Sequence, residues 1–351
     1  MSLTDKNLYA YCDNNPVMRV DHGGWFVVEC KKRNFGGKMD FKFNDNNIEE
    51  KEPDLSKVLF SGSYEDIPEN REITIPEGVE EICENAFRDF EHLEKIVFPA
   101  SLKLVSPCAF AGCKSLKTVK MNIGLSEISD EAFSSCPSLV DIEIPDTVVR
   151  IGEGAFEGCA SLSRVKLSES LLMIGANAFA YCFNLTSVSV PDSCILIELC
   201  AFSSCFSLEE VKLPSDMALI DESLFEGCRS LVSVDMPRKL SKISRRAFKG
   251  CTSLKSLILP SSLRSIGFDA FSDCTSLSRI AIPKDVSEIE DGDVFSSCDS
   301  LSEISFGGSR EAWELLNHGK TLTVEKSDLS VSTPKVIFLN LNDKPGEKNE
   351  V

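Results

Sequence analysis

The side chains with the widest chemical repertoire in this chain are 15 cysteines and three histidines, His22, His92 and His318. Thiols in CxxC pairs hold zinc or cycle between thiol and disulfide, and a Cys beside a His makes a nucleophile. The spacing fits none of these chemistries. No CxxC pair occurs, and the histidines fall in widely separated parts of the sequence, so they do not converge on one centre. Nine cysteines instead follow a register: Cys113, Cys136, Cys159, Cys182, Cys205, Cys228, Cys251, Cys274 and Cys298 each stand three residues after a Phe. Free Cys is a small, well-buried residue, so a thiol repeated in one place reads as a core ladder. Cys194 holds the inward place of Val148 and belongs to the same core. Cys108 with Cys113, Cys200 with Cys205, and Cys12 and Cys30 leave a disulfide or metal as the minor alternative. No GxSxG, phosphate loop, HExxH or EF-hand pattern is present, and the carboxylates spread over repeated surface positions. The expectation is a protein with no catalytic residues, no metal and no cofactor.

The register of the cysteines comes from the elements that carry them. Phe87, Phe110, Phe133, Phe156, Phe179, Phe202, Phe225, Phe248 and Phe271 recur every 23 residues, and Phe295 follows after 24. A fixed period of this length marks a solenoid, whose units stack in one dimension. The repeat runs from 73 to 306 without a composition break, which predicts ten units between an N-terminal cap (1–72) and a C-terminal cap with its tail (307–351). In the copy Pro145–Leu167, the spacing of Leu162, Val165 and Leu167 predicts a short strand, ten of which pair in parallel. Phe156, Cys159 and Leu162, with Ala155 beside the Phe, follow a spacing of three, which predicts a helical turn on the other side of the coil. Proline after the strand in eight copies ends the ladder, because it lacks an N–H and fixes φ. An inward row formed by Ile82, Val105, Ile128 and their successors precedes each Phe.

The phrases IGEGAFEGCASLSRVKLS (151–168) and IGFDAFSDCTSLSRIAIP (266–283) resemble the BspA-like leucine-rich repeats of bacterial surface proteins and some parasitic protists. The resemblance covers about two thirds of the chain. It implies an α/β, curved leucine-rich repeat solenoid, with a parallel sheet on the concave face and short helical turns on the convex side. It also implies adhesion to host matrix or cell-surface proteins, and FGGSREAWELL around Trp313 is similar to the capping helix of such arrays. Departures are local: Phe90 stands for the first Cys, Leu224 and Val294 for Ala, and Asn122 and Ser168 for Pro.

In the N-terminal cap, WFVVEC (25–30) and MDFKFN (39–44) read as a hairpin turning through Asn34, Gly36 and Gly37. Leu55, Val58 and Phe60 repeat the strand spacing, and VIFLNL (336–341) reads as a closing strand. Within each repeat strand, the residues flanking the central apolar one face solvent on the concave side. These candidate partner-binding positions are Lys120, Asp141 and Glu143, Arg164 and Lys166, Ser187 and Ser189, Glu210 and Lys212, Ser233 and Asp235, Ser256 and Ile258, and Arg279. The acidic pair Asp141/Glu143 between Lys120 and Arg164/Lys166 either stabilises adjacent strands or contacts a partner.

A formal net charge of −18 disfavours nucleic acid, and no apolar run approaches a membrane span, so a monomer that binds protein is expected. The start MSLTDKNLYAYCDNN shows no secretory signal; Met1–Leu3 reads equally as a cytosolic start or as a remnant replacing a removed signal. Localisation therefore stays open, and a cytosolic scaffold or signalling module of the same fold is the alternative to surface adhesion.

Overall fold

The computed structural model describes the backbone of residues 17–20, 25–32 and 35–42, and residues 71–75, 77–290, 294–316, 324–328 and 330–339 with their side chains, Glu325 excepted. Each coil contributes a three- or four-residue strand, and a 23-residue offset brings successive strands into parallel register, Asp141 beside Arg164 and Glu143 beside Lys166. The central residue of these strands is buried and its neighbours are exposed, as in Ser187–Ser189 and Glu210–Lys212. This first sheet is not continuous. Strands Glu72–Thr74, Lys95–Val97 and Thr118–Lys120 form one segment, the five strands from Asp141–Glu143 to Ser233–Asp235 a second, and those from Ser256–Ile258 onward a third.

The inward row that precedes each Phe carries a second parallel sheet of two-residue strands. It runs from Glu81–Ile82 to Leu196–Ile197, and resumes from Leu219–Ile220 to Glu288–Ile289. Ile82, Val105, Ile128 and Ile151 are fully buried in it. The phenylalanines stack behind both sheets, with ring centroids 5.0–6.0 Å apart from Phe87 to Phe295. None of the ten is more than 3% exposed.

The expected helical turns opposite the sheet are not there. The three-residue spacing belongs to consecutive tight turns whose N–H groups alternate in direction. Ala86, Arg88 and Phe90 donate three residues back within the coil, whereas Asn85, Phe87 and Asp89 donate to Pro107, Ala109 and Ala111 of the next coil. A left-handed residue every fourth position breaks the helix: Asn85 and Asp89 have φ of 58° and 57°, and Gly154 and Gly158 repeat this at 57° and 71°. The turn side is thus hydrogen-bonded along the stack, as the sheets are.

At the N-terminal end, Val17–Val20, Trp25–Lys32 and Phe35–Lys42 form an antiparallel set joined to the array through Lys42 and Thr74. Gly36 and Gly37 lie inside the third of these strands, not in the turn, because they pair with Lys31 and Cys30. The degenerate strand over Leu55, Val58 and Phe60 falls outside the described residues. At the other end, helix Arg310–Leu316 begins with Ser309 Oγ accepting from Ala312 N at 3.2 Å, and Trp313 packs on Phe306 at 5.2 Å between centroids. Strand Lys335–Phe338 then pairs with Glu303–Phe306. Arg310–Leu316 is the only α-helix among the described residues, and no helix there is long and apolar enough to cross a membrane.

Candidate functional site

The thiol ladder lies deep in the fold. Each of the nine cysteines donates from Sγ to the carbonyl of the preceding coil's Phe at 3.1–3.3 Å, as in Cys113 to Phe87 and Cys182 to Phe156. The thiol fills a small apolar slot and gives a second hydrogen bond to a carbonyl that already accepts a backbone N–H three residues on, as Phe87 O does from Phe90 N. Burial pushes the thiols of Cys205 and Cys298 up to about 12 and that of Cys194 to about 11, so the thiolate is suppressed. Cys108 and Cys200, half-buried on the turn side, are free thiols and bridge neither Cys113 nor Cys205. Cys83 differs in being disulfide-bonded. Cys12, His22 and His318 lie outside the described residues, as does the side chain of Cys30.

The proposed contact residues are all exposed on the first sheet. The structure gathers six of them, Lys120, Asp141, Glu143, Arg164, Lys166 and Ser187, around one open cleft of about 1030 Å³. The cleft opens where the sheet is interrupted between Thr118–Lys120 and Asp141–Glu143. Asn122 replaces proline there; its Nδ2 donates to Phe98 O at 2.5 Å, and Gly124 carries a φ of 136°. Met121 and Ile123 add an apolar wall that sequence reasoning missed, Ile123 being 79% exposed. The one available signal was Ile123 itself, an aliphatic residue where the next coil has Asp146.

Charge in the cleft is partly neutralised from within. Arg164 pairs with Asp141 at 3.2 Å and Lys166 with Glu143, each across one coil, and the Glu143 carboxylate holds the Lys166 ammonium above its ordinary range. Both pairs are well exposed, where solvent screens such contacts and a partner's charges readily replace them. Lys120 has no ion pair among the described residues. Ser189, Glu210, Lys212, Ser233 and Asp235 continue the same sheet segment away from the cleft. Ser256, Ile258 and Arg279 sit on the next segment and are not brought together with it.

The ten-coil array with its Phe and Cys rows has a counterpart among known families. The model of the BspA type leucine-rich repeat region matches residues 57–182, 126–247 and 219–314, with six copies. The chain belongs to this family. Solved structures that it resembles include a leucine-rich cell surface protein from Faecalibacterium prausnitzii, at 22% identity over 86% of this chain and 98% of that one, TM-score 0.38. A leucine-rich repeat protein from T. pallidum is 28% identical over 53% of this BspA-type chain and 85% of its own, TM-score 0.40. The pneumococcal vaccine antigen PcpA is 19% identical over 82% and 88%, TM-score 0.39. No curated protein matches.

Proposed function

We propose that this BspA-type chain is a non-enzymatic, monomeric protein-binding solenoid, with the array 73–306 presenting its first sheet to a partner between caps at 1–72 and 307–351. The observation that carries the reading is the charged cleft at the sheet interruption, where weakly held ion pairs and Lys120, which has no ion pair among the described residues, border the apolar Met121 and Ile123. A surface with interchangeable charges beside a small apolar wall suits a protein segment better than a small molecule. Family membership supports adhesion to host matrix or cell-surface proteins as the setting.

The test is binding of the full chain to immobilised matrix proteins and to host cells, repeated with Arg164→Glu and Lys166→Glu together. Retention should fall at least about tenfold, because reversal removes two cations and leaves Asp141 and Glu143 repelling the new carboxylates. Undiminished retention would remove the cleft from the binding surface.

A further inference from the structure

The surface beside the second sheet, one residue before its strands, carries an apolar row that the solenoid does not cover. Val149, Leu172 and Ile195 occupy the same place in three successive coils and are 39%, 45% and 82% exposed. They form consecutive rungs: Leu172 N donates to Val149 O at 2.9 Å, and Ile195 N to Leu172 O at 3.0 Å. Leu196 and Leu199 widen the row at its C-terminal end, each more than 40% exposed. Elsewhere the same place holds Lys103, Ser126, Ser241 and Arg264, so the row is confined to the middle of the array.

Acidic residues flank it on both sides. Asp146, Glu169 and Asp192 precede the row by three residues in the same three coils, all exposed, and Glu153 and Glu198 follow it. Asp146 accepts from Glu169 N, Asp192 from Ser215 N and Glu198 from Ala176 N, while Lys166 lies within electrostatic reach of Asp146 and Glu169, and Lys212 and Arg238 within reach of Asp192. None of the five has an ion pair among the described residues.

We propose that this face docks a cationic amphipathic helix of a partner protein. The rungs recur about every 4.8 Å along the stack, close to the 5.4 Å pitch of a helix and far from the roughly 6.8 Å between same-face residues of a strand. A helix lying along the stack therefore sets residues i, i+4 and i+7 over Val149, Leu172 and Ile195, while flanking Lys or Arg reach the two acidic borders. The apolar patch is on the order of 400 Å², short of the roughly 800 Å² per partner of a stable dimer, which favours a helix over a second copy. The apolar row itself lies outside the first-sheet cleft, although Asp146 on its border also lines that cleft.

The experiment is fluorescence anisotropy of a labelled 18-residue helical peptide, with leucines on one face flanked by lysines, titrated with the full chain. Saturable binding is expected, weakened by salt and lost for the same peptide carrying glutamates in place of its lysines. Ile195→Ser and Leu172→Ser leave every charge in place and should each weaken binding at least about tenfold with unchanged thermal melting. Arg164→Glu alone, which leaves Lys166 in place beside Asp146 and Glu169, should leave it intact, so this outcome is separable from binding at the cleft. Equal binding by Ile195→Ser, equal binding of the glutamate peptide, or a dimer in sedimentation that Ile195→Ser dissolves would each overturn the proposal.

Discussion

Phe202 is wholly buried between Phe179 and Phe225, with ring centroids at 5.6 and 6.0 Å, and no solvent-facing atom could relax into the space it fills. Phe202→Ala should therefore destabilise by about 3–5 kcal/mol in urea unfolding, as a core cavity flanked by rings that both lose a stacking partner. The cysteine beside it in the coil has a different job. Cys205 Sγ donates to Phe179 O at 3.2 Å, a carbonyl that also accepts from Cys182 N, so Cys205→Ala should cost about 1–2 kcal/mol through a small void and one lost thiol hydrogen bond. Native-state thiol labelling should follow exposure: among the array cysteines, Cys108 and Cys200 react first, and the ladder reacts only on unfolding. Labelling of Cys159 at the rate of Cys108 would contradict the buried hydrogen-bonded ladder.

The strands and the buried rows were legible in the sequence because a two-residue alternation and a 23-residue period leave few other arrangements. The turn side was not. Phe156, Cys159 and Leu162 keep a three-residue spacing whether the backbone is helical or a chain of turns, so apolar periodicity alone does not separate the two. What separates them is a residue able to adopt φ > 0 two places before and after each Phe, and the recurrence of Gly112, Gly158, Gly227 and Gly250 was that signal. The cleft escaped notice because it depends on where two strands fail to pair, a tertiary event around Asn122 and Gly124. The left-handed positions yield a prediction at this scale. Ser135 has a φ of 56° where four other coils place Gly, and its side chain is exposed. Ser135→Gly should raise stability by up to about 1 kcal/mol, while Gly158→Ala, whose new Cβ would meet nothing closer than 3.7 Å, should lower it by about 1 kcal/mol through conformation alone.

Coils bonded to their neighbours by the turn ladder and, except where a sheet is interrupted, by two sheets should unfold together rather than one at a time. The thiols report on this directly. Burial raises Cys136, Cys159, Cys182, Cys205, Cys228, Cys251, Cys274 and Cys298 above the ordinary thiol value of 9.0. Below pH 9 both folded and unfolded chains keep these protons, and the full stability is present. Above it the unfolded chain releases them while the folded chain holds them, so stability falls as pH rises toward the folded values. Each thiol then costs about 1.4 kcal/mol per pH unit. If the array unfolds as one body, eight thiols act in concert and the loss between pH 8 and pH 10 is on the order of 10 kcal/mol. Urea melts at the two pH values measure it. A loss of only about 1–3 kcal/mol would mean that a few coils open independently, and that the continuous hydrogen bonding along the stack does not enforce cooperative unfolding.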